Sequence, residues 1–395
     1  MGMPVVCRYG RDVAVRGPPT NTRSQELPVN KLSLGTPECN RPGITRVVTF
    51  VTDRGYIAQA LIAASQLAAQ PDVAAIADII IYLIDIPEDE QSAIQAALAP
   101  ARFNFRFLDS RRFIPDSVDR LPELHCPSST LGRLAVEAEI PDQYETVIYI
   151  DGDVQIVGPV VELIAQDCPP GTLLAGADRL DSGGRYANPQ SYLKGIGVDR
   201  VENYFNAGVM MASRAAWRTF TGQALRFLAE NPERCKHHDQ SALNAVVGSR
   251  RRMIHPCYNY TTWFLLADLD HTIRPRIVHF TGPIKPWNTT NGPWDPCYRR
   301  VYVDFLKDYP YFARYLTINA SRNIDPKYLT GSVLMRARRI AKTAKEAVEH
   351  RWQARLLKRF LQRTFSHTAP SSRRRDVSPP DRRPATEPQQ VARHR

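Results

Sequence analysis

Val147-Ile148-Tyr149-Ile150-Asp151-Gly152-Asp153 is the stretch from which the rest of the chain is read. Four apolar residues, three of them β-branched, form a strand of the buried kind, and it stops on two carboxylates. The Gly between the acids lets both turn toward one point. Paired carboxylate oxygens suit a hard divalent cation that keeps open positions for phosphate oxygens. The competing reading is a hairpin, because Asp-Gly is a favoured two-residue turn. The segment after Asp153 does not alternate as a hairpin partner would, and this favours the metal.

Outward from this strand the pattern repeats. Val47-Val48-Thr49-Phe50-Val51-Thr52 is a second apolar run, ending at Asp53-Arg54-Gly55. Ile57, Ala60, Leu61, Ala64 and Leu67 then recur at helical spacing. Ile79-Ile80-Ile81-Tyr82-Leu83-Ile84 is a third strand, and Pro87-Glu88-Asp89-Glu90 opens a helix with acids in its first turn. Phe103 to Leu108 is a fourth. Strands alternating with helices predict an α/β fold with a doubly wound, mostly parallel sheet. Such sheets bind ligands beyond the carboxyl ends of their strands, where Asp53 and the Asp151/Asp153 pair stand. The second half is more mixed. Leu173 to Ala177 ends at Asp178, and Phe205-Asn206-Ala207-Gly208-Val209-Met210-Met211 reads as a turn feeding a strand. Ala215 to Ala229 and Asp239 to Val247 read as helices, and Arg276 to Phe280 as a short strand.

The 395 residues are 43% hydrophobic and 23% charged, an ordinary globular mixture. No run approaches the ~18 apolar residues of a membrane span, and residues 1–43 lack the apolar centre of a secretory signal. Seven scattered cysteines, never in a C-x-x-C pair, argue against a disulfide framework or zinc site and for a reducing compartment. Of 52 Lys/Arg and 40 Asp/Glu, residues 331–395 hold 17 and 5, which leaves 35 of each in the body. The net charge of +12 therefore belongs to the tail. The expected organisation is a disordered leader at 1–43, a catalytic domain at 44–310, a helical region at 311–365 and a disordered basic tail at 366–395. Within the helical region, Ala341, Ala344, Val348, Trp352, Leu356 and Phe360 mark a basic amphipathic helix over 331–365.

Other candidate residues are weak one by one. His279 ends an apolar strand and precedes Gly282, Lys285 and Trp287. Imidazole, a glycine that permits close backbone approach and an ammonium together suit a metal-bound diphosphate. An ordinary surface loop shaped by Pro283 and Pro286 is the alternative. Asp239, before Gln240, could simply cap its helix, as could Asp53. No G-x-G-x-x-G or G-x-x-x-x-G-K-[ST] loop, no G-x-S-x-G and no H-E-x-x-H occurs, so kinase, dehydrogenase, serine hydrolase and zincin readings lack a signal.

The ordered set is more specific than its members. Phe50-Val51-Thr52-Asp53-Arg54-Gly55-Tyr56, Ile148-Tyr149-Ile150-Asp151-Gly152-Asp153, Tyr204-Phe205-Asn206-Ala207-Gly208-Val209, Asp239-Gln240-Ser241-Ala242-Leu243-Asn244 and His279-Phe280-Thr281-Gly282-Pro283-Ile284-Lys285-Pro286-Trp287 occur in that order. Over roughly residues 44–310 the chain resembles glycosyltransferase family 8, most of all its bacterial lipopolysaccharide galactosyl- and glucosyltransferases. The resemblance implies a GT-A fold and a UDP-sugar donor held through Mn²⁺ or Mg²⁺. By motif position Asp151, Asp153 and His279 match the metal ligands, with Gly152 between the acids. Val51, Asp53 and Tyr56 match the uridine pocket, and Gly282 and Lys285 the diphosphate loop. Arg133 matches a helix arginine near the donor. Asn206, Ala207, Asp239 and Gln240 match contacts to the donor sugar, and Asp178 an acid on the acceptor side. The chain departs from the family at Val51-Thr52, at Gly55 and at Ser241, where relatives often carry Asp.

These matches imply a retaining hexosyltransferase acting on lipopolysaccharide or another saccharide acceptor. Gln240 and Asp239 stand as the catalytic candidates. An amide is a poor nucleophile, so a front-face route in which Gln240 supports an oxocarbenium-like state is expected over double displacement. The expected place is the cytoplasmic face of the plasma membrane, with residues 331–365 on anionic lipid and no nucleic-acid partner. The alternatives are a sugar nucleotidyltransferase, which would want more glycine near the first strand, and a basic membrane- or nucleic-acid-binding protein with a silent body.

Overall fold

The structure is a computed structural model that describes residues 41–98, 104–112, 128–178, 189–262, 264, 273–288 and 294–318. Seven strands build the main sheet: β1 (Arg46–Thr52), β2 (Asp78–Ile84), β3 (Asn104–Leu108), β4 (Thr146–Ile150), β6 (Leu173–Ala177), β7 (Phe205–Ser213) and β8 (Arg251–Ile254). Their order is β3-β2-β1-β4-β7-β6-β8. All run one way except β7, which is antiparallel to both β4 and β6. Three short strands, β5 (Val154–Ile156), β9 (Tyr260–Thr261) and β10 (Ile277–His279), make a second sheet in the order β5-β10-β9.

The expected mostly parallel sheet is thus present, and its two faces follow from the sequence. Successive residues of a strand point to opposite faces. Val48 and Phe50 enter one core with Ile57, Leu61 and Leu67 of helix α1 (Ile57–Ala68), while Val47 and Val51 enter the other with Leu131, Trp217 and Phe220. Every residue of β2 is buried, which explains its unbroken apolar run. Helix α2 (Glu88–Leu98) follows β2. Helix α3 (Ser128–Ala135) lies close against β1 and β2: a Cβ on Gly132 would stand 2.3 Å from Ile84 Cδ1 and 2.8 Å from Val51 Cγ1. That close approach sets Arg133 at the edge of the sheet.

The packing runs past both expected edges of the catalytic domain. Arg41 donates to Asp78 Oδ1 from Nε and Nη2 at 2.8 and 2.7 Å, and the Tyr144 hydroxyl donates to Oδ2 at 2.8 Å. At the other end Phe312, Tyr315 and Leu316 join the first core behind helix α5 (Pro296–Asp308). The amphipathic helix expected over 331–365 lies outside the described residues, as do residues 1–40 and 366–395.

Some expectations change. Cys297 is disulfide-bonded, while Cys168, Cys235 and Cys257 are free thiols. Spacing along a chain does not reveal which cysteines meet in space. Asp53 does not cap α1, whose N-cap is Tyr56 with no side-chain bond; its carboxylate accepts from the Gly55 amide at 2.8 Å instead.

Candidate active site

Asp151, Gly152 and Asp153 are the whole link between β4 of the main sheet and β5 of the small one. Asp151 N–H donates to Gly208 O at 2.8 Å as the main sheet ends, and Asp153 O accepts from Phe280 N at 3.0 Å as the small sheet begins. Strands β4 and β5 therefore do not pair, and the hairpin reading of Asp-Gly fails. In the small sheet β10 lies antiparallel to β5 with His279 opposite Val154. The imidazole is thereby carried to the acids. Its Nε2 is 3.1 Å from Asp153 Oδ1 and 3.6 Å from Asp151 Oδ2. One ligand atom from each of the three residues lies within 4.8 Å of the others. Gly152 packs between them against Ala60 of α1.

The surrounding charges answer these acids. Lys285 Nζ is 2.6 Å from Asp153 Oδ2. Burial alone would lift the Asp153 carboxyl, but Lys285 and His279 outweigh it and hold it well below the usual range. Burial likewise opposes the Lys285 ammonium, and Asp153 keeps its pKa above the ordinary value. Arg133 is shared: Nη2 lies 3.1 Å from Asp151 Oδ1 and Nε 2.9 Å from Asp239 Oδ2. Asp239 is not the cap of helix α4 (His238–Val247), whose N-cap is His237. It sits in the first turn with its carboxyl buried, and burial, only partly offset by Arg133, pushes its pKa up to about 6. The Tyr149 hydroxyl donates to Asp151 Oδ1 at 2.5 Å, and Arg133 lies over the Tyr149 ring at 5.0 Å.

The donor-sugar candidates form the back wall. The stretch read as a turn, Asn206-Ala207-Gly208, is the start of β7. Its register against β6 jumps: Ala175 faces Met210 and Gly176 faces Asn206. Gln240 Oε1 accepts from Ala207 N–H at 3.0 Å and Asn206 Nδ2 at 3.2 Å. Its Nε2 donates to Asp178 Oδ2 at 3.1 Å and the Tyr204 hydroxyl at 3.0 Å. The amide thus has two acceptors and two donors engaged, its full capacity. Ser241 faces away and bonds to the Tyr192 hydroxyl and His237 N–H. At the other end, Val51 is the last residue but one of β1 and Tyr56 stands partly exposed, its ring 6.0 Å from Trp287. Gly282 turns the loop before Lys285 at φ +84°, a conformation that favours glycine.

This arrangement coincides with a family match. The model of glycosyl transferase family 8 matches residues 47–291, more than half of the chain. The chain belongs to that family. It is 29% identical over 200 residues to general stress protein A of Bacillus subtilis, covering 46% of this chain and 66% of that one. It is 26% identical over 196 residues to the lipopolysaccharide 1,3-galactosyltransferase of Salmonella typhimurium, covering 43% and 56%. The match spans less than two thirds of each relative. The galactosyltransferase LgtC, solved with donor and acceptor sugar analogs, has a similar fold: TM-score 0.53 at 23% identity, over 67% of this chain and 96% of that one. The bifunctional glycosyltransferase WbbM aligns with TM-score 0.53 at 18% identity over 71% and 52%. The fold is the GT-A fold.

Four residues packed around these groups were given no role in the sequence reading: Tyr149, Tyr204, Gly208 and Asn259. Asn259 is wholly buried and sits 2.9 Å from His279 Nδ1 through its Oδ1. The available signals were a lone Asn within Cys257-Tyr258-Asn259-Tyr260 and a Gly inside an apolar strand. Gly208 is needed for space: a Cβ there would lie 2.1 Å from His279 Cε1 and 2.6 Å from Nδ1. Gly208→Ala is expected to push the ring off the acids and to weaken Mn²⁺ binding by roughly tenfold or more. Titration calorimetry measures this, with circular dichroism reporting the fold; a folded variant with undiminished affinity would contradict the packing argument.

Proposed function

We propose that the chain is a retaining, metal-dependent hexosyltransferase that moves galactose or glucose from a UDP-sugar to a saccharide, lipopolysaccharide or another cell-surface glycan. The carrying observation is the Asp151–Asp153–His279 cluster at the carboxyl edge of the sheet, with Lys285 and Arg133 beside it. Two carboxylates and one imidazole suit Mn²⁺, with Mg²⁺ the alternative, and three acids (Asp151, Asp153, Asp239) face two permanent cations. A divalent ion held by these side chains supplies positive charge to the departing diphosphate. Family membership supports glycosyl transfer, and the galactosyltransferase relative supports a hexose and a glycan acceptor.

The chain's own groups then divide the work. Val51, Asp53 and Tyr56 hold the uridine at the end of β1. Gly282 lets the backbone approach the diphosphate, and Lys285 adds a second cation as charge develops there. Arg133, anchored by Asp239, keeps Asp151 aimed at the diphosphate side. Asn206, Ala207, Asp239 and Gln240 bound the donor sugar, and Asp178 meets the acceptor. The Gln240 oxygen already accepts two hydrogen bonds, so it does not attack the anomeric carbon. It faces the positive charge there as a fixed dipole. Retention follows by the front-face route: the leaving phosphate takes the proton of the incoming hydroxyl as the glycosidic bond changes hands.

Residues 331–365 hold the enzyme at the cytoplasmic face of the membrane in this reading. The support is the charge count, since the body is balanced and the tail carries +12. Each Lys/Arg near an anionic surface contributes about 1 kcal/mol, and Trp352, Leu356 and Phe360 add apolar contact.

Incubation with UDP-glucose or UDP-galactose, Mn²⁺ and a lipid-extract acceptor is expected to yield a product heavier by one hexose, and EDTA to abolish it. Full turnover in EDTA, or tighter binding of GDP than UDP, would overturn the reading. In the same assay Gln240→Ala is expected to lower kcat by at least about tenfold with UDP affinity unchanged; a normal kcat removes Gln240 from the reaction. Sedimentation with vesicles of anionic lipid at low salt is expected to carry down the full chain but not a chain ending at residue 330. Equal behaviour of the two would exclude the tail as the membrane contact.

A further inference from the structure

A line of three amides connects the backbone of β7 to the imidazole of His279, and the direction of each can be deduced from the one before it. Gly208 N–H lies 2.9 Å from the terminal amide of Asn206. A backbone N–H only donates, so the Asn206 atom there is the oxygen. Asn259 meets that same oxygen at 2.9 Å, and two carbonyl oxygens would repel, so the Asn259 atom is its nitrogen. The remaining end of the Asn259 amide is its carbonyl oxygen, and that end lies 2.9 Å from His279 Nδ1. A carbonyl only accepts. His279 Nδ1 therefore carries a proton.

The surroundings leave little room for another arrangement. Asn259, His279 and Asn206 are 0, 3 and 7% exposed, so water offers no easy replacement partner. Two glycines make the space. A Cβ on Gly208 would strike the His279 ring, and a Cβ on Gly176 would stand 2.7 Å from Asn259 Cβ. The chain of amides also continues to the donor-sugar side, because Asn206 Nδ2 reaches Gln240 Oε1 at 3.2 Å. The orientation of His279 and that of Gln240 thus share one anchor, the Asn206 amide fixed by Gly208.

We propose that Asn259 is a positioning residue that keeps the His279 proton on Nδ1 and so reserves Nε2, the nitrogen facing Asp151 and Asp153, for a divalent cation. The cation half of this statement rests on the function proposed above; the proton half does not. A ligating imidazole held through its other nitrogen is oriented and made more basic, and loss of such a partner typically lowers metal affinity 10–100-fold.

The test has two independent readouts on the full chain. Two-bond ¹H–¹⁵N correlation of the imidazoles in the metal-free protein, with His279 assigned from its disappearance in His279→Gln and spectra recorded over a pH range that reaches the neutral ring, is expected to show Nδ1 protonated. Calorimetry with Mn²⁺ is expected to show about 10–100-fold weaker binding in Asn259→Leu. Asn259→Asp still offers Nδ1–H an acceptor, so it is expected to keep the ring signature even where it lowers the melting temperature. A purely structural Asn259 would move the melting temperature and leave both the signature and the Mn²⁺ affinity of Asn259→Leu at wild-type values; that result overturns the proposal. A neutral wild-type ring protonated on Nε2 overturns it even if Mn²⁺ binds normally. Absence of Mn²⁺ binding in the wild type overturns the reservation of Nε2 together with the proposed function, while the ring signature still decides the proton.

Discussion

The site depends on one backbone crossing. The chain leaves the seven-stranded sheet at Ile150 and enters the three-stranded sheet at Val154, with three residues to turn in. Each acid in that crossing is tied to a different sheet, Asp151 through its amide to Gly208 and Asp153 through its carbonyl to Phe280. The separation of the two carboxylates is therefore set by the packing of the sheets and not by the flexibility of Gly152. His279 arrives by the same route, because β10 pairs with the strand that leaves the crossing. Small residues at Gly208 and Gly176 then admit the imidazole and the Asn that orients it.

The arrangement is costly in stability. Burying charge is unfavourable unless each group is paired with good geometry, and here one guanidinium serves two carboxylates. Asp239 records that cost. Its pKa rises from 3.8 unfolded to about 6 folded, so the folded chain holds this proton longer. Ionisation of Asp239 consequently removes stability as pH rises from about 4 to about 6, by about 3 kcal/mol at most, and the loss persists above that range. Asp153 works in the opposite sense: Lys285 and His279 depress its pKa despite burial, so its contribution is present at neutral pH and is lost in acid.

The parallel part of the main sheet was legible because β1, β2 and β4 are β-branched runs buried on both faces, and helix α1 carries its apolar stripe at a clear period. The grouping of Asp151, Asp153 and His279, and that of Asn206 and Gln240, was legible only as an ordered set of motifs; no member alone outweighs its ordinary structural role. Local reading failed where a partner lies far along the chain. Asp239 looks like a cap until Arg133, 106 positions earlier, is seen beside it. Asp-Gly keeps the hairpin open as an alternative until its flanking strands are seen to enter different sheets. The shift of register in β7, the buried Asn259 and the disulfide at Cys297 are likewise products of tertiary contact, which neither periodicity nor turn propensity encodes.

The central claim is that the crossing from β4 to β5, with His279 of β10, builds one divalent-ion site. Diffraction at the manganese absorption edge from crystals grown with Mn²⁺ and UDP tests it most directly. The account predicts a single strong anomalous peak about 2.0–2.6 Å from one carboxylate oxygen each of Asp151 and Asp153 and from His279 Nε2. A peak away from this triad, or one that meets His279 through Nδ1, would contradict it.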